Sequence, residues 1–188
     1  MATLWIEASM EKSFVFAGFG GQGVILAGKL LAQAGADYGL EVTWLPSYGP
    51  EMRGGTANCT VVLSDEPIGS PVVDNPTALV AMNLPSLDRF ENTVVEAGTI
   101  LVNSSLIDRA IQRSDVRLLS VPANDIAVSL GNSRAANMVA LGAVVKAMGT
   151  IPHELIKSTM VRMLSHNRYS ARLVAVNEQA LDAGYNAV

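Results

Sequence analysis

The sequence has 188 residues, 49% of them hydrophobic, and a formal net charge of -4. That length fits one domain with a sizeable core, and the hydrophobic share argues against disorder. The acidic balance argues against a nucleic-acid binder, which needs a basic patch for phosphates. The longest apolar stretches are broken by Gly, Pro and Asn, so a membrane span of about 20 residues is not expected. Glu7 interrupts Leu4-Trp5-Ile6 before a signal-peptide core can form. The single Cys59 excludes a disulfide within the chain. It also excludes an iron–sulfur cluster held by this chain alone, which needs about four thiolates. A cytoplasmic α/β protein is the expectation.

Residues 1–12 read as an N-terminal extension and 13–188 as a single domain. Ser13–Ala17 is a short apolar run ending at glycines, the pattern of a buried strand. Gly18–Gly23 leads into a helix over Val24–Tyr38, with Lys29, Gln33 and Asp37 as its polar stripe and Gly39 as its stop. Glu41–Leu45 is a strand stopped by Pro46, and Pro46–Gly55 is a loop. Thr56–Leu63 alternates as a strand, and Ile68–Val73 reads as a hairpin arm returning after a turn at Ser64–Pro67. Thr77–Met82, Thr99–Val102 and Val116–Val121 are further strands, the first followed by a short helix with Pro85 in its first turn. Asn132 or Ser133 caps a helix to Met148 bearing Met138, Leu141, Val145 and Met148 on one face. Pro152 starts a helix ending near His166, and a last helix covers Ala171–Ala183. Strands separated by helical segments predict a doubly wound, mostly parallel sheet. Helices lie on both faces, with the Thr56–Val73 hairpin as an antiparallel insertion.

Gly18-Phe19-Gly20-Gly21-Gln22-Gly23 fits GxGxxG between a strand and a helix. Gly18 suits a tight turn, Gly20 close approach by a phosphate or carboxylate, and Gly23 close packing of the helix on the sheet. A dinucleotide site also wants an acid at the end of the second strand, where Leu45-Pro46-Ser47 has none. The absence of GK[ST] rules out a P-loop. Two readings remain at this level: glycines that only permit tight packing, or an anion-binding loop. The Pro46–Gly55 segment collects Tyr48, Glu51 and Arg53 in a backbone stiffened by prolines. Arg53 can fork onto a carboxylate or phosphate, or simply pair with Glu51 on the surface.

GFGGQGV followed by PSYGPEMRGGTANCTVVLS resembles the gamma subunit of 2-oxoacid:ferredoxin (or other acceptor) oxidoreductases, most closely the 2-oxoglutarate type. The resemblance continues through NSRAANMVALGA (Asn132–Ala143) and NEQALDAG (Asn177–Gly184). It implies a non-autonomous subunit of an enzyme that decarboxylates a 2-oxoacid on thiamine diphosphate and Mg2+. Such an enzyme passes electrons through iron–sulfur clusters to ferredoxin or another acceptor and transfers the acyl group to coenzyme A. Alpha and beta subunits, with a ferredoxin-like delta subunit, are the implied partners. No cofactor is expected on this chain alone, and neither a catalytic residue nor a metal ligand is assigned to it.

On this reading Gly20, Gly21, Gln22 and Gly23 present amides to a phosphate-bearing cofactor or to a partner's loop. Tyr48, Glu51 and Arg53 close over a shared active site or fix the subunit interface, and Gly54 and Gly55 allow backbone approach. A stand-alone nucleotide-binding domain and a purely structural assembly module are the competing readings. So are gamma subunits specific for pyruvate, branched-chain oxoacids or indolepyruvate. Elsewhere, His153 and His166 read as surface residues, Cys59 as a buried small hydrophobe, and Met138, Met148, Met160 and Met163 as core or interface filling. Asn83 and Asn137 need partners if buried, from a neighbouring loop or a ligand.

Overall fold

A computed structural model describes residues 10–48, 55–166 and 170–188 of the chain. The strands are β1 (Glu11–Phe19), β2 (Glu41–Tyr48), β3 (Thr56–Ser64), β4 (Ala78–Ala81), β5 (Thr99–Asn103) and β6 (Arg117–Val121). The helices are α1 (Val24–Tyr38), α2 (Leu84–Phe90), α3 (Ala123–Ser129), α4 (Ala136–Met148), α5 (His153–His166) and α6 (Ala171–Asn186). The sheet order is β2-β3-β1-β4-β5-β6. β1, β4, β5 and β6 are parallel, while β3 runs antiparallel to both β1 and β2. The α/β fold with an antiparallel element in a mostly parallel sheet therefore stands as expected.

The antiparallel element is placed differently from the expectation. Its partner is β2, not Ile68–Val73, which forms no strand. Pro71 lies within that stretch and removes a ladder donor, and Pro67 precedes it directly. β3 instead wedges between β1 and β2, the two strands joined by the α1 crossover. Pro46, expected to stop β2, lies within it and pairs with Cys59. Because β2 is the sheet edge, a missing N–H costs no bond there if it faces outward. β1 also begins earlier than expected, with Glu11 and Lys12 already in register with Ser64 and Leu63.

Side chains alternate across the sheet as the strand period requires. Phe14, Phe16, Val61, Leu63, Val80 and Leu101 face the larger core under α1 and α3–α6. Val15, Ala17, Leu79, Ala81, Ile100 and Val102 face a smaller core closed by Leu87 of α2 with Val94 and Ile107. α1 lies close on β3 because Gly28 and Gly35, two turns apart, present no side chain there. A methyl on Gly28 would overlap the Cys59 sulfur, and one on Gly35 would come 2.5 Å from Leu63 Cδ2.

α4 is buried on every side from Ala136 to Val145. Its expected single apolar face was thus only part of its packing. Met138 and Met160 are fully buried, whereas Met148 and Met163 are half-buried at the margin of the core. α3 has no counterpart in the sequence reading. Its seven residues are too few to display a helical period. Among the described residues, no helix is long and apolar enough to cross a membrane.

Candidate functional site

The carboxyl ends of β1, β2, β4, β5 and β6 share one edge of the sheet, where open α/β sheets bind ligands. The loop after β1 turns sharply there: the Gln22 amide donates to the Phe19 carbonyl at 3.1 Å. Gly21 (φ 98°) and Gly23 (φ 74°) adopt the left-handed conformation that glycine tolerates best. Gly20 and Gly21 are exposed, while Gln22 and Gly23 are half-buried. Gly23 is the N-cap of α1 and supplies no side-chain cap, and the first turn carries no acidic residue. The first amides of this helix thus meet neither a capping oxygen nor a carboxylate from their own turn, which favours an anion.

A chain of uncharged carboxamides braces this loop from behind. Gln22 Oε1 accepts from the Phe19 amide at 2.6 Å and from Asn83 Nδ2 at 3.1 Å. Gln22 Nε2 donates to the Met82 carbonyl at 3.2 Å. Asn83, 3% exposed, uses its Oδ1 to cap α2 by accepting from the Ser86 amide at 2.9 Å. The Met82 carbonyl also accepts from Asn103 Nδ2 at 3.4 Å. Asn103 is fully buried, donates to Asn124 Oδ1 at 2.7 Å and accepts from the Ala123 amide at 3.1 Å. From α4, Asn137 Nδ2 donates to the Gly23 carbonyl at 3.1 Å. A side chain on Gly23 would collide with that Asn137 amide. Asn83 and Asn137 therefore find protein partners.

Asn103 and Asn124 escaped the sequence reading. The usable signal was an amide residue closing a buried strand, the same signal that singled out Asn83.

The second motif reaches the same edge. Tyr48 is the last residue of β2, in register with Ala57, and Gly55 is half-buried just before β3. The Gly20 amide donates to the Gly55 carbonyl at 3.0 Å, extending the β1–β3 ladder beyond Phe19 and Thr56. This bond ties the two motifs together. Glu51, Arg53 and Gly54 lie outside the described residues, so their expected pairing and contacts are not placed.

Other titratable groups serve packing. Cys59 is fully buried and lies 3.5 Å from the Val24 carbonyl, its expected place as a small core residue. Burial pushes its thiol up to about 12, so it does not fit a cluster-ligating thiolate. Among the described residues, no three or more His, Cys, Asp or Glu side chains gather as a metal site. His153, expected on the surface, is instead largely covered. Its Nε2 lies 2.7 Å from Asp182 Oδ1, and its ring centroid lies 4.0 Å from that of Tyr185. Lys157 donates to the other Asp182 oxygen at 2.7 Å. Burial pushes the Asp182 carboxyl up, but the bonds from Lys157 and His153 outweigh it and hold the group below its ordinary range. The side chain of His166 lies outside the described set.

Residues 13–187 match the family model described as "Pyruvate ferredoxin/flavodoxin oxidoreductase". The chain belongs to this family. It is 33% identical over 175 residues to the 2-oxoglutarate synthase subunit KorC of Methanocaldococcus jannaschii, covering 92% of this chain and 94% of that protein. It is 50% identical over 133 residues to the ketoisovalerate oxidoreductase subunit VorA of Methanothermobacter thermautotrophicus, 71% of this chain. That alignment spans only 27%, about a quarter, of the VorA protein. Among solved structures, the keto/oxoacid ferredoxin oxidoreductase gamma subunit from Geobacter sulfurreducens superposes with a TM-score of 0.79 at 31% identity, covering 94% of this chain and 97% of that one. The 2-oxoglutarate:ferredoxin oxidoreductase from Magnetococcus marinus shares the fold, with a TM-score of 0.84 at 24% identity over 94% of this chain and 31% of that one. The resemblance to gamma subunits drawn from the two loop motifs is thereby upheld.

Proposed function

We propose that the chain is the gamma subunit of a 2-oxoacid:ferredoxin or other acceptor oxidoreductase, working with separate alpha and beta subunits and a ferredoxin-like delta subunit in the cytoplasm. The supporting observation is coverage in both directions: the chain accounts for almost all of a KorC subunit and of a solved gamma subunit. On this reading thiamine diphosphate, Mg2+ and the iron–sulfur clusters reside on the partner chains, and thiamine diphosphate supplies the decarboxylation chemistry there. This chain presents its carboxyl edge to the shared site. Coenzyme A fits that edge through its phosphates, with Gly21, Gly23 and Val24 offering amides at the α1 N-terminus. Tyr48, Glu51, Arg53, Gly54 and Gly55 are proposed to meet the same ligand or partner, and the Gly20–Gly55 bond joins the two motifs.

2-Oxoglutarate is the preferred substrate, giving succinyl-CoA and CO2, because the subunit-length relative carries that activity in its name. Ketoisovalerate is the second reading, favoured by the 50% identity to VorA. The test is to tag the chain in its own cells, purify it gently and identify what accompanies it. The eluate is then assayed for coenzyme A-dependent dye reduction with 2-oxoglutarate, ketoisovalerate and pyruvate in parallel. Co-purifying chains with thiamine diphosphate, iron and activity on one oxoacid are expected. A solitary, inactive chain under conditions that keep such complexes whole would overturn the assignment.

A further inference from the structure

Gln22 follows the exposed Phe19, Gly20 and Gly21, yet its amide is taken up by protein partners. Both ends of the amide are used: Oε1 takes the Phe19 and Asn83 donors, and Nε2 gives to Met82. The bond to the Phe19 amide spans three residues and closes the turn from inside. Asn83 in turn is fixed by its own duty as the α2 cap. An added methyl on Gly18 would come 2.7 Å from Gln22 Oε1 and 2.9 Å from Val24, so the side chain is folded tightly over that glycine.

From this geometry we propose that Gln22 is a positioning residue, oriented by Asn83, which sets the shape of the glycine loop instead of touching a ligand. Each carboxamide has a donor end and an acceptor end, so the orientation of one dictates the other. The α2 cap consumes the acceptor of Asn83 and leaves its donor facing Gln22. That donor joins the Phe19 N–H in holding the Gln22 oxygen, while the Met82 carbonyl holds its nitrogen. The position of α2 is thereby passed to the turn that presents Gly21 and Gly23. The ligand affected, coenzyme A, rests on the function proposed above; the relay itself does not.

Asn83→Asp separates the cap from the relay. An aspartate caps a helix as well as an asparagine does, but it has no N–H for Gln22. Two oxygens then face each other where the Asn83–Gln22 bond was, and their repulsion displaces the Gln22 oxygen and weakens the bond it accepts from the Phe19 amide. In the full chain, hydrogen exchange at Phe19 should accelerate about tenfold or more, while Ser86 keeps its protection. Unchanged exchange at Phe19 would overturn the relay whatever the enzyme does. In the reconstituted complex, the coenzyme A KM should rise about fivefold or more, while the oxoacid KM stays within about twofold. A fall in kcat at unchanged coenzyme A KM would overturn the positioning role toward that ligand, while the exchange result still decides the relay. Should Asn83→Asp fail to assemble, Gln22→Met gives the same readout at Phe19, since it keeps the side-chain length and deletes the acceptor for that amide. If the wild-type complex itself shows no coenzyme A-dependent activity, the proposed function falls while the exchange experiment still decides the relay.

Discussion

Replacing Gly184 with alanine tests the helix packing that carries the larger core. α6 crosses α4 so closely that an added methyl would come 2.6 Å from the Val139 carbonyl carbon and overlap its oxygen. The reciprocal position behaves alike: a methyl on Gly142 would come 2.8 Å from the Tyr185 amide nitrogen and overlap the Leu181 oxygen. Non-bonded heavy atoms rest at about 3.5–4.0 Å, so the helices must part by about 1 Å. Neither obstacle is a side chain that can swing aside. Overpacking of this kind costs about 1–3 kcal/mol, and backbone obstruction puts it at the upper end. The intrinsic gain from Gly to Ala in a helix, about 1 kcal/mol, works the other way. The net expectation is a loss of about 2 kcal/mol. For a chain of this length each kcal/mol shifts Tm by about 2–4 °C, so Tm should fall by about 4–8 °C. Thermal and urea unfolding of the purified variant measure it. An unchanged or raised Tm would refute the close α4–α6 contact, because helix propensity would then be the only term left.

Gly28→Ala should destabilise by about 1–3 kcal/mol through the Cys59 sulfur, and Cys59→Ala in the same chain should recover most of that loss in a double-mutant cycle. Cys59, buried with its thiol pushed up to about 12, should resist maleimide at pH 8 in the folded protein and react once urea unfolds it. Acid should weaken the α1–α5 and α5–α6 contacts. Asp37 is held below the ordinary carboxylate range by the Thr159 hydroxyl first, against burial, with Arg162 and Gln33 adding to it. Asp182 is also lowered, its bonds from Lys157 and His153 outweighing burial. A lowered folded pKa gives stability that is present above the unfolded value near 4 and is lost as pH falls through the folded value. Urea midpoints should therefore drop below about pH 4, and Asp37→Asn should flatten that dependence; an equally steep acid limb in Asp37→Asn would remove Asp37 from the explanation.

What the sequence made legible depended on periodicity and on backbone chemistry. α1 could be bounded at both ends because glycines flank it and its polar stripe repeats every four residues. The glycine loop was placed correctly for the same reason. The β3 wedge was not legible, since a strand's neighbours are a matter of pairing, which alternation does not encode. Ile68–Val73 looked like the better partner for Thr56–Leu63 because it was nearer in sequence, but Pro71 deprives it of a donor. The amide chain was half legible. Asn83 and Asn137 stood out among small or apolar neighbours, whereas the bond from Asn103 to Asn124 depends on β5 and α3 meeting at one edge.

The misread strand is also what brings Tyr48 and Gly55 to the edge that holds the glycine loop. In a plain doubly wound sheet, the β1–α1–β2 unit would place β2 directly beside β1. Here β3 separates them, so the chain leaving β2 returns at once alongside β1, and its first bond beyond the ladder is Gly55 to Gly20. A glycine loop alone is common to many nucleotide-binding sheets, and a proline-rich loop alone is commoner still. Their conjunction requires an antiparallel strand inserted at this point, which explains why the paired motif is more specific for the family than either half.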